Sequence, residues 1–438
     1  MSACVCVCGG RGGEENCQTQ NSVLGYTELS HHYIYLYTCR LGGFHLLKSY
    51  LGSLGNIMDD SGLQEVIQLI YTGSTTANHI MSGGCFDKAI RAHLLIDAAI
   101  CQYVMKHAFT DRELTEMRTF MEKVTDEKTG AGYTSPIVAV FQQRFEETFR
   151  RIADGGRTPA LWVQYHYMVD VIKIFIKSER LADHNGHLSC IVTRMLDTFS
   201  AAGPHQYAKG ARLYCQLMKQ LETSPEYKEI FESFIEHGNH VVRYSSHDWS
   251  GTWCDICIEQ RLMKAAKSEG GLSRERMKNA DSGHKCWVQT LNHFSDVNQR
   301  MEESVRKHGP LHKDLAKTRM KRDAEAIGLA LKWFEENNPF DRDKKLLVSF
   351  STGFTSTAND AVNAERAAEV GREMQIKLDG QSVTSTMEVK FKVQALSSLR
   401  KIPKVNEKKI HLDSLKLFNR LIIFAQRDMT CSRGKFSI

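Results

Sequence analysis

The stretch LWVQYHYMVDVIKIFIKSER, residues 161–180, decides the fold class of this chain. Its large apolar side chains recur at intervals of three and four residues, which is the spacing of one face of an α-helix. They are Trp162, Tyr165, Met168, Val169, Ile172 and Ile176. The stretch therefore predicts a long helix with a broad apolar face.

Helix signals of the same kind extend over most of the chain. Ser61 with Gln64 and Thr110 with Glu113 are capping-box patterns, and Ser135 precedes a proline at the position that favours a helix start. Only a few short segments have the composition of strands or extended chain: 31–41, 239–253 and 385–396. We predict a mainly α protein, a multi-helix globular array with two or three short strands.

The length of 438 residues is enough for two or three domains. Hydrophobic residues make up 42% and charged residues 25% of the chain, as is usual for soluble globular proteins. We predict a disordered, cysteine-rich start, a helical domain, a second helical region with a basic stripe, and a C-terminal α/β segment. Their ranges are 1–30, 31–238, 239–345 and 346–438.

Charge and cysteine usage restrict the compartment and the partners. The net charge of +6 is mild, so it permits contact with nucleic acid without requiring it. The 13 cysteines are odd in number and scattered, which is typical of free thiols in a reducing compartment. Neither a secretory signal nor a run of about 20 apolar residues is present, so we expect an intracellular protein, nuclear or cytoplasmic, without a membrane span.

A Cys-x-x-Cys pair, Cys254 and Cys257, is followed by His284 and Cys286. Thiolates and imidazoles are the ligands of structural zinc, but the one-residue gap within the second pair is shorter than zinc knuckles use. A redox pair would require a surrounding βαβ pattern, which is missing. Free thiols in a helical segment are therefore the favoured interpretation, with a zinc site as the alternative.

Two acids, Asp255 and Glu259, lie beside these cysteines, at the predicted start of a helix. Two-metal nuclease chemistry needs several carboxylates that converge on ions about 4 Å apart. Carboxylates in the first turn of a helix also stabilise it through its dipole without any catalytic role. We favour the second interpretation.

A basic stripe is predicted on the helix at 312–337. Lys313, Lys317 and Lys321 are spaced four residues apart, and Arg306 and Arg319 lie close by. Such a stripe is usually a helix face that only contacts solvent. The more specific alternative is that it contacts the phosphates of DNA or RNA. The sequence contains no G-x-S-x-G, P-loop, G-x-G-x-x-G or H-E-x-x-H motif, so we predict no cofactor, with zinc or another divalent metal as the alternative.

Three blocks carry a family resemblance. They begin at RLGGFHLLKSYLG (40–52), LWVQYHYMVDVIK (161–173) and HVVRYSSHDWSGTWCDICIEQRLM (240–263). They resemble blocks of a multi-copy, functionally uncharacterised family of transposon-derived proteins in aquatic invertebrates and fishes. Longer relatives resemble a ribonuclease H-like transposase core at one end and a flap-endonuclease-like (PIN-type) domain at the other. The resemblance implies a truncated copy without those nuclease parts.

Two functional hypotheses follow. The first is a non-catalytic, transposon-derived interaction protein that binds a protein partner and contacts nucleic acid. The second is a degenerate ribonuclease H-like core, in which Glu259 is a remaining metal-binding acid with His45 and Asp255 near it.

Overall fold

A computed structural model describes much of the chain. The residues that it describes are 5–7, 39–126, 135–203, 205–225, 228–238, 240–243, 249–257, 259, 316–378, 392–399, 404–405 and 408–409.

Helices dominate the described residues, which confirms the mainly α prediction. In chain order they are α1 (Gly43–Ile57), α2 (Leu63–Ile70), α3 (Ser74–Met81), α4 (Phe86–Ala108), α5 (Asp111–Asp126), α6 (Pro136–Ala153), α7 (Arg157–Leu181), α8 (His184–Cys190), α9 (Leu196–Ala202), α10 (His205–Thr223), α11 (Lys228–Glu236), α12 (Cys254–Cys257), α13 (Lys317–Asn337) and α14 (Ala367–Leu378). A π-helical turn, Ile191–Met195, joins α8 to α9. No helix of the described residues combines the length and the apolar content needed to cross a lipid bilayer.

The described strands are short and form isolated pairs. Strands β1 (Val5–Val7) and β2 (Cys39–Leu41) pair in parallel. The antiparallel pairs are β3 (Val242–Arg243) with β4 (Gly251–Thr252), β5 (Leu347–Val348) with β6 (Thr355–Ser356), and β7 (Lys404–Val405) with β8 (Lys408–Lys409). The alternating segment 385–396 is described from residue 392 onward, where it packs Val393 and Leu396 into the core and forms no strand.

Helix α7 is the centre of the described fold. It contacts α1, α4, α6 and α8, and also β4 and β5. The apolar face predicted from the sequence is buried except at Ile176, which is half-buried, and residues on the other faces, such as Val163, Val171 and Phe175, are buried as well. A helix that is covered on almost every side is a core helix rather than an amphipathic surface helix.

One hydrophobic core connects the segments that the sequence suggested as separate regions. Trp162 of α7 packs its ring against Trp333 and Phe334 of α13, with ring centroids 5.7 and 5.1 Å apart. Leu347 of β5 and Leu396 belong to the same buried cluster. The division into domains at 239 and 346 remains a prediction, and the core is continuous across both positions.

The predicted helix starts have mixed outcomes. The box of Thr110 and Glu113 is confirmed, because the Thr110 N–H donates to the Glu113 carboxylate (2.8 Å) and the Glu113 N–H donates to the Thr110 hydroxyl (3.3 Å). The Ser135 cap is also confirmed, since its hydroxyl accepts the Ile137 N–H at 3.4 Å. The box of Ser61 and Gln64 forms only in part: the Ser61 hydroxyl accepts the Leu63 N–H (3.3 Å), but the Gln64 side chain donates to Asn78 (2.9 Å). Helix α2 begins after Gly62, which has the left-handed conformation with φ 100°.

Glycine permits a close crossing of α1 and the end of α3. A Cβ atom on Gly55 would lie 1.9 Å from the backbone carbonyl oxygen of Met81, so a side chain at this position must separate the two helices. By contrast, nothing lies within 4 Å of a Cβ on Gly328, in the middle of α13.

We expect Gly55→Ala to lower the free energy of unfolding by about 1–3 kcal/mol through overpacking. Gly328→Ala is the matched control, and it should raise the stability by up to about 1 kcal/mol because alanine has the higher helix propensity. Urea unfolding of both variants measures the difference. Equal effects would contradict the close crossing.

Asp197 of α9 lies where this helix crosses α14, and a Cβ on Gly371 of α14 would be 2.1 Å from its backbone carbonyl oxygen. Burial raises the pKa of the Asp197 carboxyl from 3.8 to about 6, although Arg372 and Gln375 partly offset it. The fold therefore favours the protonated Asp197 carboxyl. The stability that this preference gives is fully present below the unfolded pKa of the group and is lost as the pH rises through about 6.

Asp197→Asn should accordingly shift the urea midpoint upward near neutral pH, and the difference from the unmodified chain should vanish near pH 4. Urea unfolding over that pH range is the measurement. A midpoint difference that does not change with pH would contradict the raised pKa.

Candidate functional site

The first two turns of α13 carry the described part of the basic stripe. Lys317 and Lys321 are exposed, whereas Arg319 is half-buried, and its charge acts on the nearby Tyr71. Lys313 and Arg306 lie outside the described residues. The structure thus places two of the five predicted cations on one exposed surface.

Ion pairs hold α13 along α4. Arg91 pairs with Asp323 near the start of both helices, and Lys106 pairs with Glu335 (2.8 Å) near the end of both, so the two helices run in the same direction. Tyr103 adds a hydrogen bond to the side chain of Asn338 (2.9 Å). These contacts fix the position of the basic turns on the molecule.

Asp255 is the N-terminal cap of α1, although it lies more than 200 residues away in sequence. Its carboxylate accepts hydrogen bonds from the backbone N–H groups of Phe44 (3.2 Å) and His45 (2.9 Å), and its side chain is fully buried. A Cβ on Gly42 would lie 2.3 Å from this carboxylate, so only glycine lets the acid approach. Asp255 therefore stabilises N–H groups that have no acceptor within the first turn of the helix.

Glu259 lies beside the same helix start. Its carboxylate oxygen is 2.8 Å from Nε2 of His45, and its side chain is 44% exposed. The three residues of the nuclease hypothesis thus lie together at the start of α1. The Asp255 oxygens are occupied by the backbone, and the three residues do not form one of the described clusters that could hold a metal ion.

Cys254 and Cys257 are half-buried at the two ends of α12. The Cys254 thiol donates to the backbone carbonyl of His240 at 3.5 Å. His284 and Cys286 lie outside the described residues, so the zinc alternative at these four positions remains a prediction.

A second polar cluster, between α4 and α7, has the donor set of a metal centre. We call it the polar crossing, and it consists of Asp97, Cys101, His166, Asp170 and Lys173. Nδ1 of His166 is 2.6 Å from Asp97, and the Lys173 ammonium is 2.5 Å from Asp97 and 2.9 Å from Asp170. Within the described part of the chain, Asp97, Cys101 and His166 are the one group of three His, Cys, Asp or Glu side chains whose ligand atoms all lie within 4.8 Å of one another.

Burial and charge shift the pKa values in the polar crossing. Burial raises the pKa of the Cys101 thiol, and the negative charge of Asp97 raises it further. Burial alone lowers the pKa of Lys173, but the charges and hydrogen bonds of Asp97 and Asp170 outweigh it, so the net shift is upward. In the absence of a metal ion the cluster therefore contains a thiol and an ammonium group.

This geometry does not fit a cysteine nucleophile. The Cys101 sulfur is 3.9 Å from Nδ1 of His166, the same nitrogen that faces Asp97. In a catalytic triad the base uses one ring nitrogen for the nucleophile and the other for the orienting acid. The raised pKa of Cys101 also opposes formation of a thiolate.

A family model described as a domain of unknown function (DUF8702) matches residues 26–433. The chain belongs to this family. The start of α1, the polar crossing and the basic turns of α13 all lie within the matched residues. No curated protein and no solved structure matches the chain significantly.

The sequence contained a signal for the polar crossing that the motif search missed. Asp97 and Cys101 are four residues apart, as are His166 and Asp170, so each pair lies on one helix face. Both pairs have apolar residues of the core on either side of them in sequence, and a charged residue that is buried among such residues needs a partner. The pairing of α4 with α7 is a tertiary feature, and spacing within one helix does not reveal it.

The roles of Asp255 and Glu259 can be separated by mutation. Asp255→Ala should lower the free energy of unfolding by about 1–3 kcal/mol, because it leaves two buried N–H groups without an acceptor. Glu259→Gln, at an exposed acid, should change it by no more than about 0.5 kcal/mol. Urea unfolding of both variants is the measurement, and a larger loss for Glu259→Gln than for Asp255→Ala would contradict the capping role.

Proposed function

We propose that the chain is a non-catalytic, transposon-derived interaction protein of the nucleus or cytoplasm, and that the first two turns of α13 contact the phosphate backbone of nucleic acid. The observation that carries this proposal is the charge arrangement of those turns. Lys317, Lys321 and Arg322 are exposed, and none has an acidic partner within 4 Å among the described residues.

Several other exposed lysines on the described helices have an acidic partner, whereas Lys88, Lys123 and Lys177, which lie on three different helices, have none among the described residues. Lys219 pairs with Glu222 (2.9 Å), Lys228 with Glu232 (3.9 Å) and Lys332 with Glu336 (3.7 Å). These pairs are the usual arrangement of a solvated helix face. In the first two turns of α13, by contrast, three exposed cations that lack a described acidic partner lie together, and this grouping favours a surface that binds an external anion over a merely solvated face.

The position of these cations along the helix supports the same conclusion. The first turn of α13 contains no acid, and Lys317 is its first residue. A cation at a helix N-terminus is unfavourable by roughly 0.3–1 kcal/mol because it faces the positive end of the helix dipole. A bound phosphate removes this penalty and is also attracted by the dipole.

The nuclease hypothesis with Glu259 has less support. The hypothesis requires Glu259, His45 and Asp255 to lie together, and Glu259 does contact His45. However, the Asp255 carboxylate is already hydrogen-bonded to the backbone of α1. The described strands do not join residues 39–41 to 242–252, the arrangement that a ribonuclease H-like sheet would require. We therefore keep this hypothesis as the second candidate.

An electrophoretic mobility shift assay with duplex DNA and with RNA, over a salt series, tests the proposal. The unmodified chain should shift both probes at low salt, and Lys317→Glu/Lys321→Glu should weaken binding. If each lysine neutralises one phosphate, the slope of log affinity against log salt for duplex DNA should fall by about 1.8.

The matched control is Lys219→Glu/Lys332→Glu, which makes the same change in net charge at two acid-paired lysines. Its binding should stay close to that of the unmodified chain. No shift of either probe at low salt would contradict the proposal, and equal weakening by the two double variants would contradict the choice of surface.

A further inference from the structure

We propose that Asp97, Cys101 and His166 form a binding site for one divalent cation of the zinc class, between α4 and α7. The inference goes beyond the proposed contact with nucleic acid and does not depend on it. It rests on the donor set, the spacing of the ligand atoms and the groups that surround them.

The backbone directs all three ligands to one point. Asp97 and Cys101 are one turn apart on the same face of α4, and His166 projects from the facing helix α7. Sites built from side chains of facing helices are the usual metal sites of helical bundles. The Cys101 sulfur is 3.9 Å from both the Asp97 carboxylate and Nδ1 of His166.

These distances are close to those of a loaded site. Zinc bonds of about 2.0–2.3 Å in tetrahedral geometry place neighbouring donor atoms roughly 3.3–3.6 Å apart. The two distances to sulfur need to shorten by a few tenths of an ångström. The contact of 2.6 Å between His166 and Asp97 needs to lengthen as the ion replaces the shared proton.

The groups around His166 are those that commonly surround a metal-bound histidine. While Nδ1 of His166 faces the ligand cluster, Nε2 is 3.4 Å from the Asp170 carboxylate. Phe149 stacks on the imidazole ring, with centroids 4.2 Å apart and planes 11° apart, and so fixes its orientation. A carboxylate on the second ring nitrogen holds the tautomer and raises the basicity of a metal-bound imidazole.

The donor types select among cations. Cys101 releases its thiol proton to solvent when it binds the ion. The resulting thiolate and an imidazole favour zinc and its neighbours in the transition series, whereas magnesium and calcium prefer oxygen ligands alone. Three protein ligands are one fewer than closed structural zinc sites use, so the fourth ligand is water or an added molecule.

Lys173 distinguishes this proposal from a simple network of buried charges. Its ammonium group contacts Asp97 and Asp170, and its side chain is 41% exposed. A metal ion on Asp97 competes with this ammonium group, which keeps Asp170 as its partner. Removal of Lys173 should therefore destabilise the metal-free fold and strengthen metal binding. If the cluster were only a network of buried charges, removal of Lys173 would destabilise the fold without strengthening metal binding.

The test is titration of the purified, metal-free, reduced full-length chain with Co²⁺, followed by the thiolate-to-cobalt absorption band, and with Zn²⁺ by calorimetry. We expect Cys101→Ser to remove the contribution of this site to the band and to lower the affinity at least about tenfold. Asp170→Asn should weaken binding about 10–100-fold through the outer shell. Lys173→Met should bind more tightly than the unmodified chain.

Other cysteines of the chain are controlled separately. Cys215→Ser changes a half-buried thiol away from the site, and Cys254→Ser/Cys257→Ser removes the Cys-x-x-Cys pair; both should retain binding at this site. His166→Gln should also lose binding at this site. If this variant does not fold, Cys101→Ser decides the question, because serine is nearly isosteric with cysteine. No binding by the unmodified chain, unchanged affinity in Cys101→Ser, or weaker binding by Lys173→Met would overturn the proposal.

Discussion

The burial of α7 on almost every side is the constraint on which the rest of the fold depends. A helix of 25 residues with this much apolar surface is stable only where other elements exclude water from most of its surface, and here Lys173, Ile174 and Lys177 remain exposed. Helices α1, α4, α6 and α8 supply most of that cover. Its first residue, Arg157, adds a link to the C-terminal part of the chain, since its guanidinium binds the carbonyls of Ser356 and Val362 and pairs with Glu365.

The same burial explains why polar groups occur in clusters around α7. A charged side chain on a core helix is costly unless a neighbouring element provides its partner. His166 and Lys173 find theirs in Asp97 of α4, and Asp170 pairs with Lys173 on its own helix. Glu179 is 2.6 Å from Nδ1 of His187 in α8. Packing therefore determined where donor groups converge, and the proposed metal site is a product of how α4 and α7 face each other.

The sequence predicted what depends on neighbours along the chain. The periodicity of 161–180 revealed a helix, and Thr110 with Glu113 marked a helix start, because both signals are local. The box at Ser61 formed only in part, since the left-handed Gly62 delays the start of the helix by one residue and Gln64 binds Asn78 instead. Asp255 was placed correctly at a helix start, but the helix that it caps is α1, more than 200 residues away, and no local pattern reveals such a partner. For the same reason the polar crossing was missed.

Native-state hydrogen exchange of the full-length chain tests the central role of α7 most directly. The account predicts that amides of α7 between residues 161 and 176 exchange only through global unfolding, and are among the slowest in the protein. Amides of α5, of which Val124 alone has a buried side chain among those described, should exchange through local opening at much lower free energy. Exchange of α7 by local opening, as fast as that of α5, would contradict the account.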